Sequence, residues 1–185
     1  MIGLRTVAPA AAALLLAFNS PVEAFAAAPA GIEAPIGAEP GQADQEAELE
    51  CLATAIYHEA RGEPEHGQLV VGRVILNRVA SPYYPNSICE VVYQNVHLNN
   101  RCQFSFACDG VNRGISELKV WREIQGRAEW LVNCLGDNDC QESKRDRDIW
   151  KSTHYHADYV HPFWADKILR LGQIGRHIFY YTATM

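Results

Sequence analysis

The sequence predicts an α+β domain, mostly helical with a small antiparallel β part, over residues 47–185. Three observations carry this. Apolar side chains recur at helical spacing in three separate stretches, around Leu52, around Val74 and from Ser116 onward. Strand-like signals are confined to the alternating run Gln103-Phe104-Ser105-Phe106-Ala107 and to the run Ile174 to Tyr180 near the C-terminus. All six cysteines fall inside the same region, whose length suits one compact domain.

The residues before it read differently. Arg5 supplies a positive charge, Ala10 to Phe18 form an apolar run too short to span a bilayer, and Ala24-Phe25-Ala26 places small residues where a signal peptidase reads. Residues 1–26 therefore read as a secretory signal peptide, and the protein is expected to be exported, periplasmic or associated with the cell wall. Residues 27–46, rich in Ala, Pro, Gly and Glu with few large apolar side chains, read as a disordered linker, because such a segment cannot repay its ordering entropy. No stretch beyond the leader is apolar enough to cross a membrane. A formal net charge of −6 argues against a nucleic-acid partner.

The first helix begins near Leu49 and runs into Tyr57-His58-Glu59-Ala60-Arg61-Gly62-Glu63. Leu52, Ala55, Ile56 and Glu59 stand at i, i+3, i+4 and i+7, so a carboxylate continues an otherwise apolar stripe. Gly62 and Pro64 stop the helix just beyond it. A second helix is expected over Glu65 to Val79, where Gly67 and Gly72 each cost about 1 kcal/mol of helix propensity and so imply close packing. Ser81 to Asn86 is a loop, and Ser87 caps a short helix from Ile88 to Tyr93. The alternating run between Cys102 and Cys108 is expected to form a small antiparallel element or a stapled loop; after it, Asp109-Gly110 signals a turn, and a long helix is expected from Ser116 to about Leu135. The polar stretch 136–148 is a loop, and Thr153 to Trp164 is irregular and aromatic.

An even number of cysteines in an exported chain points to disulfides. Spacing brings out Cys102 with Cys108 and Cys134 with Cys140, leaving Cys51 with Cys89.

Two constellations compete for the chemistry. One is Glu59 beside an aromatic cleft. Burial disfavours the charged form of a carboxyl and suits it to donate a proton near neutral pH; alternatively Glu59 pairs with Arg61 or another cation and only holds the helix end. The other is the histidine group His154, His156 and His161, with His177 behind. His-x-His on a strand presents both imidazoles on one face and could ligate zinc; alternatively these rings hydrogen-bond substrate and neighbours.

Several ordered blocks carry a resemblance to a known family. They are Ala55 to Pro64, Gly67-Gln68, Val74 to Val79, Tyr84-Pro85-Asn86, Gln103 to Phe106, Thr153-His154-Tyr155-His156 and Ile174 to Tyr180. Together they cover about Leu49 to Tyr181, and this stretch resembles the SleB/CwlJ cell-wall hydrolases, the catalytic module of spore-cortex-lytic enzymes. The resemblance implies a lysozyme- and lytic-transglycosylase-like fold and peptidoglycan as substrate partner; no metal or other cofactor is expected. It implies that the glutamate matching Glu59 is the catalytic acid.

Residue 60 departs from the serine found in some members: it is alanine, so a hydroxyl role there would fall to Ser105 or Thr153. Gln103, Ser105, Tyr155 and His156 are the expected substrate contacts. An ordinary glycosidase needs two carboxylates, and Glu63 and Asp109 are the candidates for a second; a lytic transglycosylase works with one. The rival readings are a zinc-dependent wall amidase or peptidase and an inert glycan-binding module.

Overall fold

Helix α1 spans Gln42–Ala60 and is the axis about which the rest is arranged. In this computed structural model the described residues are 41–98, 101–108, 114–134 and 147–183. They belong to the unit Gly37–Met185; the other unit, Met1–Ile36, lies outside them. So do the expected signal peptide, most of the expected linker, Asp109 and Cys140. Helix α1 starts earlier than its apolar stripe does, inside the stretch read as linker. Its first turns are exposed, and Gln, Ala and Glu propagate a helix without burial. Glu48 gives this extension a function: its Oε2 accepts from the Ile88 amide and, at 3.3 Å, from the Cys89 amide.

Helix α2 spans Glu65–Val79, as the sequence predicts, and α3 spans Ile88–Val92, capped by the Ser87 hydroxyl accepting from the Glu90 amide at 3.3 Å. Helix α4 spans Leu118–Asn133, beginning two residues after the expected Ser116. The residues before it are held instead by α1: the Tyr57 hydroxyl accepts from the amides of Ser116 and Glu117 at 3.2 and 3.0 Å. The main core joins all four helices through Leu52, Ile56, Ile75, Val91, Ile124 and Leu131. Gly72 explains its own presence there. A Cβ on it would stand 2.5 Å from Leu131 Cδ1 and 2.8 Å from Ile56 Cδ1, so α1, α2 and α4 meet at a point only glycine leaves open.

Strands β1 (His154–Ala157), β2 (Leu169–Ile174) and β3 (His177–Tyr181) form an antiparallel sheet in the order β1-β3-β2. The stretch Thr153 to Trp164, expected to be irregular, thus contributes strand β1. The expected single strand over Ile174 to Tyr180 is instead the end of β2, a turn and β3. Gly175 turns with φ +55, and the Glu63 carboxylate sits so close that a Cβ on Gly175 would lie 1.9 Å from Oε2. A second core cluster, with Val70, Val71, Val74, Ile149 and Phe179, packs the sheet on α2.

Of the two forms expected for the alternating run around Phe104, the structure has the stapled loop and not a strand, with a 3-10 turn over Ser105–Ala107. The physical reason is covalent. Extended chain would carry Cys102 and Cys108 about 20 Å apart, whereas their disulfide holds the Cα atoms at 6.1 Å. Cys51 and Cys89 are also bonded, tying α1 to α3. Cys134 is disulfide-bonded as well; its expected partner Cys140 is outside the described residues.

Candidate active site

The last turn of α2 sets the site. Asn77 Nδ2 donates to the carbonyls of Trp150 and Ser152 at 2.7 and 2.9 Å, and Arg78 Nε donates to the Thr153 carbonyl at 2.8 Å. These bonds pin the segment entering β1, and so place Tyr155 against the end of α1. The Tyr155 hydroxyl donates to Glu59 Oε2 at 3.1 Å.

Glu59 stands as its spacing predicts, in the last turn of α1, half-buried at the floor of an open cleft of about 490 Å³. His58, Arg78, Gln103, Ser105, Tyr155, His156, Tyr159 and His177 share that cleft, so all four expected substrate contacts line it with Glu59. A second lobe of about 310 Å³ continues past Glu59 to Arg61, Glu63 and Arg176. The Glu59 carboxyl is held above its ordinary value, chiefly by burial; the Tyr155 hydrogen bond and the Arg78 charge oppose the rise. Burial also pushes the Tyr155 phenol well above its usual range, so it stays a donor.

Arg61 does not pair with Glu59. Its Nε donates to Glu117 at 3.0 Å, at an exposed site. Glu63 accepts from the Arg176 amide at 2.9 Å and so supports the hairpin turn.

The strand register separates the histidines. Tyr155 pairs with Phe179 and Ala157 with His177, so Tyr155, His177 and Phe179 share one face of the sheet. His154, His156 and Tyr180 occupy the other. There His156 Nδ1 donates to the Ala157 carbonyl and Nε2 accepts from the Tyr180 hydroxyl, both at 2.9 Å. His156 therefore reaches the cleft with both nitrogens engaged within the protein. His154 bonds Thr153 Oγ1 at 3.0 Å, and burial with the nearby Arg78 charge lowers its pKa to about 4. His161 pairs with Asp166 at 2.9 Å. Among the described residues no group of three His, Cys, Asp or Glu side chains converges as a metal site.

Sequence reasoning missed Arg78. It is buried, lies over the rings of Tyr84 and Phe104, and donates through Nη1 at 2.8 Å to the Gln103 amide oxygen turned toward it. The signal was present: Val71, Val74, Ile75 and Arg78 repeat the i, i+3, i+4, i+7 spacing that singles out Glu59. Gln103 is accordingly held by Arg78, while Ser105 is exposed at the cleft rim.

Comparison with known proteins agrees with this architecture. The chain belongs to the Cell Wall Hydrolase family, whose match covers residues 62–180 and starts just beyond Glu59. A spore cortex-lytic enzyme of Bacillus subtilis (strain 168) is 49% identical over 47 residues, 25% of this chain and 15% of that protein. One from Oceanobacillus iheyensis is 27% identical over 133 residues, 71% of this chain and 41% of its own length. The chain thus spans less than half the length of these curated relatives. The catalytic domain of the Bacillus cereus SleB protein superposes with a TM-score of 0.52 at 23% identity, over 80% of this chain and 94% of that one. The catalytic domain of a germination-specific lytic transglycosylase SleB from Bacillus anthracis gives 0.51 at 25% identity, over 80% and 100%. The mostly helical, lysozyme-like fold with a small antiparallel sheet is therefore that of the SleB catalytic domains.

Proposed function

We propose that this protein cleaves the glycan strands of peptidoglycan as a lytic transglycosylase, with Glu59 as acid and then base. The observation that carries the reading is one carboxyl, its pKa raised by burial, at the floor of a cleft and hydrogen-bonded by Tyr155. In its protonated form Glu59 transfers its proton to the glycosidic oxygen, and the bond from that oxygen to the anomeric carbon breaks. The oxocarbenium-like carbon is captured by the C6 hydroxyl of the same sugar, favoured by proximity. That hydroxyl's proton passes to the Glu59 carboxylate, which restores the acid without consuming water. Glu63, the other carboxylate lining the described cleft, is engaged with the Arg176 amide, which supports a single-acid mechanism.

The family match and the spore cortex-lytic relatives support the substrate class. Residues 1–26 act as the export signal and 27–46 lead into the wall-cleaving domain, so the enzyme works in the periplasm or at the wall. The described residues contain no helix long and apolar enough to cross a membrane. Digestion of purified sacculi in heavy-oxygen water tests the mechanism. Anhydromuramic ends free of heavy oxygen are expected; reducing ends that carry it would establish hydrolysis instead, and would direct attention to Asp109.

A further inference from the structure

His177 has no part in the mechanism above, yet it is built into the same cleft. It opens β3, on the sheet face shared with Tyr155, whose ring centroid is 5.0 Å away. It lines both lobes of the cleft, on either side of Glu59. It is only 7% exposed, and its Nδ1 is buried without a hydrogen-bond partner. Buried polar atoms in folded proteins are nearly all satisfied, so an orphaned one beside a reactive carboxyl calls for an account.

The orphan decides the tautomer. A neutral imidazole carries its proton on one nitrogen and a lone pair on the other. Placing the proton on Nδ1 would bury an N–H donor with nothing to accept it. Placing it on Nε2 leaves only a lone pair unmet at Nδ1, and an unpaired acceptor is the better tolerated of the two. The ring is kept neutral chiefly by burial, against the pull of Glu63 and Asp158. With Nδ1 enclosed and the ring lining the cleft, Nε2 is the nitrogen left to meet a ligand, and in this tautomer it carries the hydrogen.

We propose that His177 is a glycan-binding residue whose Nε2–H donates to an uncharged oxygen acceptor of the N-acetylated sugar held against Glu59. This rests on the glycan reading of the cleft. It assigns His177 to binding rather than proton transfer, because a base at this position would need the opposite tautomer.

The test uses the full mature protein in a Glu59→Gln background, so that ligand is bound and not cut, with a β-1,4-linked N-acetylglucosamine hexamer as titrant. Replacing His177 by Phe keeps a ring against Tyr155 and Phe179 and removes the donor. Affinity should fall about 3- to 10-fold, as expected for one neutral hydrogen bond. His177→Gln, which carries an amide N–H at similar reach, should stay within about 2-fold of the parent. In the Glu59 enzyme, His177→Phe should raise KM on solubilised glycan more than it lowers kcat. Nitrogen-detected NMR of the unmodified imidazole should report the Nε2–H form, a readout that needs no variant to fold. Unchanged hexamer affinity in the Phe variant overturns the proposal, as does an Nδ1–H tautomer or a kcat collapse with binding intact. If the parent lyses walls while His177→Phe binds normally, only this assignment fails; if the parent neither binds hexamer nor lyses walls, the glycan reading falls with it.

Discussion

Replacing Tyr155 by Phe removes one hydroxyl from the site and little else, since the ring remains packed near His177 and Phe179. The hydroxyl donates to Glu59 Oε2 and stabilises the ionised form, opposing burial. Hydrogen bonds to charged groups contribute about 1.5–3 kcal/mol. At 3.1 Å this one is longer than the roughly 2.5–2.7 Å typical of O–H···O⁻ pairs, so the lower end applies. Water entering the open cleft replaces part of it, which leaves a net loss of about 1 to 1.5 kcal/mol. Since about 1.36 kcal/mol corresponds to one pH unit, the alkaline limb of the activity profile should move up by about one unit. The Arg78 charge is untouched and still favours ionisation. The assay is release of soluble muropeptides from purified sacculi across a pH series, with circular dichroism to confirm folding. A limb that stays in place, or moves down, in a folded Tyr155→Phe protein would refute the claim that this hydroxyl tunes Glu59.

Glu59→Gln should abolish wall lysis while keeping the fold, and lysis at near-normal rates would remove Glu59 from the mechanism. The same variant reports on linkage. A carboxyl raised in the folded state contributes stability that is fully present below its ordinary value of 4.5 and is lost as pH rises through the folded value. Its Tm should therefore gain on the parent's as pH rises from 4.5 through the raised folded value, and a constant difference would mean Glu59 titrates normally. Gly72→Ala should destabilise by about 1 kcal/mol, because overpacking costs about 1–3 kcal/mol and helix propensity returns about 1; a higher Tm would show that Ile56 and Leu131 yield freely. Chain entropy sets the Cys51–Cys89 bridge, 38 residues apart, at about 4 kcal/mol and Cys102–Cys108, 6 apart, at about 2. Urea melts of the paired serine variants should keep that order, and the reverse order would show that the entropic account does not apply.

Helical periodicity determined much of this protein directly from its residues. Glu59 and Arg78 each extend an apolar stripe at i+7, and an ionisable group in that register must be buried wherever the helix packs. The bounds of α2 followed from the same logic, because Pro64 and the end of apolar periodicity are local signals. What the tertiary structure alone decided is non-local. The antiparallel register of β1 against β3 sorts His156 from His177 onto opposite faces, although both looked alike in a histidine-rich tail. The bond from Tyr155 to Glu59 joins residues 96 apart in sequence and exists only because Asn77 and Arg78 hold the entry to β1. Periodicity reports which face a side chain takes on its own element; which element comes to meet that face depends on packing across the whole chain.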